Sequence, residues 1–146
     1  MADKHKKLKI LFVCTANATR SQMAEAWART LKADCLDVYS AGVQPLGRVI
    51  SRTVRAMAEV GIDIADQWSK PIDQWAGLTF DYVITLCEYA HEVLPDFPSE
   101  TRVVNHPIPD PTGMMGTNEQ VLQAFRKARE IVRQYIETLP ESLPTI

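Results

Sequence analysis

The residues best suited to chemistry lie in one octapeptide, Cys14-Thr15-Ala16-Asn17-Ala18-Thr19-Arg20-Ser21, which sets a thiol and a guanidinium six positions apart. The run Leu8 to Val13 before it is almost wholly apolar, the pattern of a strand buried on both faces. After it, Met23, Ala24, Trp27 and Leu31 recur at helical spacing, with Ser21 and Glu25 as N-terminal signals. A loop joining a strand to a helix suits an anion: successive backbone N–H groups line a nest, the helix offers its positive end, and Arg20 presents a planar fork to a tetrahedral oxyanion. The same field favours a thiolate, so Cys14 becomes a nucleophile aimed at the bound anion, with Ser21 able to donate its hydroxyl to the sulfur. A tight loop needs a residue at positive φ, and with no glycine in the octapeptide Asn17 is the candidate. The competing reading, a core thiol beside a surface arginine, is disfavoured by the strand before and the helix after.

Three further groups could serve such a site. Asp110 precedes Pro111 in a segment, Asn105 to Asn118, whose prolines and glycines forbid a helix; proline biases it to an extended conformation that projects its carboxyl away from its own backbone. It is the candidate general acid, with His106 a lesser one. Cys87 follows the apolar run Phe80 to Leu86. If that strand neighbours the first, at the usual spacing of about 4.8 Å, a small loop movement could bring the two thiols to disulfide distance; a buried structural thiol is the alternative. Cys35 precedes the next strand and so lies at the opposite end of the sheet, as core filler.

The elements that must position these groups alternate. Strands read at Leu8 to Val13, Leu36 to Tyr39 (stopped at Ser40 to Gly42), Phe80 to Leu86 and Arg102 to Asn105, with helices from Ser21 to Leu31, Val49 to Val60 and Asn118 to Thr138. Strands separated by helices imply right-handed crossovers and a single-domain α/β fold over residues 1–146, a parallel sheet covered on both faces. In such sheets ligands bind at the carboxyl ends of the strands, where the octapeptide, Cys87 and the proline-rich loop all fall. With 146 residues, 46% hydrophobic, and a net charge of −2, the chain carries no broad basic field, so no nucleic acid partner is expected. The apolar run after the basic start is too short for a signal peptide or a membrane span, so a cytoplasmic protein with no membrane partner is expected. Three scattered cysteines make neither a disulfide framework nor a zinc site.

The octapeptide with Gln22 to Glu25 after it resembles the C-x5-R-S phosphate loop of the low-molecular-weight protein tyrosine phosphatase superfamily. ValTyrSerAlaGly (Val38 to Gly42), GluValGlyIleAspIle (Glu59 to Ile64), ValIleThrLeuCys (Val83 to Cys87) and Asp110-Pro111 keep the family order. Within the superfamily the chain is most similar to the arsenate reductases usually coupled to thioredoxin, on SerGlnMetAlaGlu and ThrLeuCys. The resemblance implies a four-stranded parallel sheet of order 2-1-3-4, Cys14 as nucleophile, Arg20 and the loop Thr15 to Ser21 as oxyanion binder, and Asp110 as general acid. It implies arsenate reduction, with Cys87 resolving the Cys14 adduct and an external thiol (glutaredoxin with glutathione, or thioredoxin) resetting the enzyme. No bound cofactor is expected. The alternatives are a phosphatase working through a Cys14 phosphoenzyme and a non-catalytic oxyanion sensor.

Several positions depart from the family. Ala16 and Thr19 stand where glycine and often cysteine occur. ThrGlyMetMetGly replaces the tyrosines that follow AspPro in the phosphatases, which favours a small inorganic anion. Leu94 stands where the reductases have a third cysteine, seven residues past the second. Some of these reductases hold potassium beside the loop; Asn17, Glu25 and Ser40 match three of its ligands, but the fourth, an aspartate, falls on Lys70. The resemblance thus implies no metal here, with the Lys70 ammonium in the cation's place bracing the loop; a solvent-exposed lysine is the alternative.

Overall fold

Every buried strand must pair its backbone, and β1 (Leu8–Cys14) does so on both sides. It runs parallel to β2 (Leu36–Gly42) in a register from Leu8↔Leu36 to Cys14↔Gly42, and parallel to β3 (Tyr82–Thr85) up to Val13↔Thr85. β4 (Arg102–Asn105) completes a four-stranded parallel sheet of order β2-β1-β3-β4, the expected order. The computed structural model describes residues 6–145; the first five residues of the basic start lie outside the described residues.

Helices α1 (Arg20–Leu31), α2 (Ser51–Ala58) and α4 (Asn118–Glu137) pack on one another, whereas α3 (Glu88–Val93) lies against β1 and β3. That arrangement explains the apolar runs: Ile10, Leu11, Phe12 and Val13 are wholly buried, each large side chain contributing about 1.5–3 kcal/mol. Helix α4 buries Val121, Leu122, Phe125, Ala128, Val132 and Ile136. Its start is fixed by a capping box in which Thr117 accepts from Gln120 N–H and the Gln120 side chain accepts from Thr117 N–H.

The structure departs from the sequence reading in several places, among them the second helix, which is shorter than Val49 to Val60, and an unread 3-10 turn at Ile72–Trp75. Strand β2 continues through Ser40 to Gly42 because Gly42 pairs with Cys14 and donates its N–H to the Lys70 carbonyl at 2.9 Å. Strand β3 ends at Thr85, and Cys87 stands at the N-cap of the short α3, whose few apolar positions gave no helical period. The proline-rich segment contains no α-helix but does form a 3-10 turn at Pro111–Gly113, with Pro111 at its first position and Asp110 as its cap. Among the described residues no helix is long and apolar enough to cross a membrane.

Candidate active site

The octapeptide leaves β1 at Cys14, and its carbonyls tie it to the segments around it. Cys14 O accepts from Val43 N–H (3.1 Å), Thr15 O from Gln44 (2.8 Å), Ala16 O from Leu46 (3.0 Å) and Ser69 Oγ (2.9 Å), and Ala18 O from Ile50 (3.2 Å). In a trans peptide the N–H points opposite the C=O, so carbonyls tied outward turn the amides toward the concavity. The close approach of the 42–50 segment depends on Gly42: a Cβ there would lie 2.7 Å from Thr15 O and 2.9 Å from Asn17 N. Glycine thus serves the loop from the neighbouring strand, while Ala16 needs no glycine's freedom, since Asn17 is the only non-glycine among the described residues at positive φ.

Asn17 takes the left-handed conformation expected of it, with φ of 49°. Its buried side chain is saturated: Nδ2 donates to Ser21 Oγ (2.7 Å) and Ser40 Oγ (3.0 Å), while Oδ1 accepts from Gln22 Nε2 (3.0 Å) and Lys70 N–H (3.0 Å). Ser21 Oγ also lies 2.9 Å from Cys14 Sγ. Because that oxygen already accepts from Asn17, its own proton is free to point at the sulfur, the orientation that stabilises a thiolate.

Arg20 is held from the other side of the cavity. Its Nη1 donates to Ile108 O at 3.1 Å and its Nη2 pairs with Asp110 Oδ2 at 3.6 Å, so guanidinium and carboxylate lie side by side in the lining of a cavity of about 320 Å³ that Cys14 also lines. Asp110 is extended, as expected before proline, but its carboxyl does not stand clear of the backbone. Its Oδ1 accepts from Thr112 N–H (2.9 Å) and Thr112 Oγ1 (2.7 Å), because capping the 3-10 turn satisfies an otherwise orphaned N–H. Only Oδ2 faces Arg20. His106 is elsewhere: it stacks on Tyr135 at 3.6 Å between ring centroids, and burial pushes its pKa down.

Cys87 comes beside the loop because Leu86 N–H bonds to Val13 O at 2.8 Å, carrying the chain alongside β1 to its end. Its sulfur lies 3.3 Å from Thr15 Oγ1, so one hydroxyl bridges the residue after the nucleophile and the second thiol. No sequence signal marked Thr15 for this contact. Cys35 sits at the opposite end of the sheet, its carbonyl accepting from Leu8 N–H, with burial and the neighbouring Asp34 both raising its thiol pKa.

A family model for the low molecular weight phosphotyrosine protein phosphatases matches residues 9–145. The chain belongs to that family. Among its members the chain is 42% identical to an arsenate reductase of Halalkalibacterium halodurans over 136 residues, covering 93% of this chain and 97% of that one. An arsenate reductase in the phosphate binding state superposes with a TM-score of 0.74 at 35% identity, covering 94% and 99% of the two chains. The low molecular weight protein tyrosine phosphatase of T. tengcongensis superposes with a TM-score of 0.73 at 25% identity, covering 94% and 100%.

Against that family background Lys70 is conspicuous. Only 2% exposed, it donates from Nζ to Ser40 Oγ (3.0 Å), Trp68 O (3.0 Å) and Asn17 Oδ1 (3.4 Å), and pairs with Glu25 Oε1 at 3.6 Å. The ammonium lies 4.8 Å from the Trp68 ring centroid. Burial pushes its pKa below the usual lysine range and the Glu25 carboxylate pulls it back up. Ser40 Oγ in turn donates to Glu25 Oε1 at 2.5 Å. The oxygens that the resemblance assigns to potassium therefore surround a lysine nitrogen, and this chain's residues do not fit the ion.

Proposed function

We propose that the protein reduces arsenate to arsenite, using Cys14 as nucleophile and Cys87 as the resolving thiol. Arsenate sits against the loop amides and Arg20. The Cys14 thiolate attacks arsenic and an oxygen leaves as water, taking a proton from Asp110. The Cys87 sulfur then attacks the Cys14 sulfur: an S–S bond forms, the S–As bond breaks, and its electron pair stays on arsenic, which departs as arsenite. Two electrons have passed from the thiols, so an external thiol, glutaredoxin with glutathione or thioredoxin, must reduce the disulfide. The observation that carries this reading is the second thiol at Thr15, which a phosphatase cycle does not require. The arsenate reductase relatives support it, as do the exposed Met114 and Met115 where an aromatic clamp would be needed for an aryl substrate.

A phosphatase acting through a Cys14 phosphoenzyme remains the related alternative, favoured by the shared cradle. The purified enzyme, given arsenate with each thiol in turn and separately an aryl phosphate, distinguishes the two. Thiol-dependent release of arsenite is expected; brisk ester hydrolysis without arsenite supports the phosphatase instead.

The second part of the reading concerns loop support. Lys70, with Glu25 and Ser40, holds Asn17, and Asn17 holds Ser21 against Cys14. Replacing Lys70 with alanine leaves the buried Glu25 with only the Ser40 hydroxyl and the half-exposed Arg29, and is expected to cost about 3 kcal/mol, roughly a 10 °C fall in Tm. Lys70→Asp should make Tm respond to potassium over sodium at equal ionic strength, while the unmodified protein does not distinguish the two. A potassium-specific rise in Tm for the unmodified protein contradicts this role.

A further inference from the structure

Of the nine arginines, Arg20, Arg29, Arg126, Arg129 and Arg133 each pair with a carboxylate, and Arg48, Arg52, Arg55 and Arg102 do not among the described residues. Arg52 and Arg55 both line a cavity of about 450 Å³ between the first turns of α2 and α4, with Ser51, Asn118 and Leu122. The exposed Arg48 lies just upstream, also without a carboxylate partner among the described residues. In a chain of net charge −2 this is a local concentration of positive charge. The local backbone adds to it. Both helices begin at the cavity, α2 has neither a side-chain cap nor an acidic residue in its first turn, and the first-turn acid of α4, Glu119, is held by Arg126. A single bond from Arg52 Nη2 to Asn118 Oδ1, 3.3 Å long, occupies one edge of one guanidinium.

The cavity adjoins the active site. Ile50 lines the Cys14 cavity and Ser51, the next residue, lines the arginine one. Ile50 N–H bonds to the loop at Ala18 O, and Thr53 Oγ1 donates to Thr19 Oγ1 at 3.0 Å. At about 1.5 Å of rise per residue, Arg55 lies roughly a turn and a half from the residue that touches the loop, within reach of an extended tripeptide spanning about 10 Å.

We propose that this cavity binds the carboxylates of a small peptide thiol of the glutathione class, whose sulfur enters the neighbouring cavity and reduces the oxidised enzyme. The proposal rests on the reductase reading above. Leu94 occupies the place of a third cysteine and Cys35 lies at the other end of the sheet, so electrons must reach Cys14 and Cys87 from outside. Cys14 is only 2% exposed at the floor of its cavity, which favours a slender thiol over a protein surface. The thiolate attacks the Cys14 sulfur; the S–S bond breaks, a mixed disulfide forms, and the Cys87 thiolate leaves and takes a proton from water. A second peptide thiol attacks the mixed disulfide, giving the oxidised dimer of the peptide and free Cys14.

The test uses two measurements on the full-length protein, its Arg52→Glu/Arg55→Glu variant and its Arg52→Ala/Arg55→Ala variant. The first is titration of the reduced protein with S-methylglutathione, which cannot exchange disulfides; saturable binding is expected and is lost in both variants. The second is the rate at which glutathione and the neutral thiol 2-mercaptoethanol reduce the oxidised protein. Charge reversal is expected to slow glutathione at least about tenfold, the scale of electrostatic steering, and to leave 2-mercaptoethanol within about twofold. Equal slowing of both thiols, no slowing of either, or no binding of S-methylglutathione to the unmodified protein overturns the proposal. Arginine dependence seen only with an acidic dithiol protein overturns it as well, and makes the cavity a protein contact. If arsenate is not reduced at all yet S-methylglutathione binds through the arginines, the reductase reading fails while the peptide site stands.

Discussion

Cys14→Ser is expected to lower arsenate reduction and aryl phosphate hydrolysis together by more than about 10³-fold, since removal of an enzyme's covalent nucleophile routinely costs that much or more. Both reactions begin with the same sulfur attacking a tetrahedral anion, and an alcohol at neutral pH is a far weaker nucleophile than an activated thiolate. The fold should survive: Cys14 is the last residue of β1, held by backbone pairing to Gly42, and the smaller hydroxyl fits beside Ser21. Phosphate should therefore still raise the Tm of the variant, because the loop amides and Arg20 remain. Loss of activity together with loss of phosphate stabilisation would point to a collapsed loop instead of a missing nucleophile.

Cys87→Ser is expected to separate the two reactions. Multiple-turnover arsenate reduction at low thiol concentration should fall by about 10²-fold or more, because no second sulfur can displace arsenite from Cys14. Aryl phosphate hydrolysis should stay within about threefold, since water resolves a phosphoenzyme and serine can keep the hydrogen bond to Thr15. Raising the external thiol should restore part of the arsenate activity, as a thiol from solution attacks Cys14 in place of Cys87. Parallel loss of both activities would make Cys87 a structural thiol.

Much of what depended on local covalent order was legible in the sequence. The strand-loop-helix context of Cys14, the left-handed Asn17, and the Ser21 hydroxyl beside the sulfur follow from residue types within eight positions, and all are present. The burial of Lys70 followed from aligned motifs, and its nitrogen does meet Asn17, Ser40 and Glu25. What escaped were mainly contacts between distant segments that leave no periodic trace, and one local turn at Asp110. Gly42 is needed because another segment's backbone lies 2.7 Å from where its Cβ would be, which no property of residues 38–42 announces. Thr15 meets Cys87 only because β3 pairs with β1 in one particular register. Asp110 satisfies Thr112 as well as Arg20, since the proline that extends its backbone also starts a 3-10 turn with an N–H to cap. The unpaired arginines escaped because pairing is a property of neighbours in space.

The most direct measurement of the central claim is the disulfide itself. The reduced enzyme is mixed with one equivalent of arsenate without added thiol, quenched by alkylation and digested, and the peptides are mapped by mass spectrometry while arsenite is quantified. The account predicts a Cys14 to Cys87 bridge formed in step with arsenite, about one for one, with Cys35 alkylated throughout. Arsenite released while Cys87 remains free, or a bridge from Cys14 to Cys35, would contradict it.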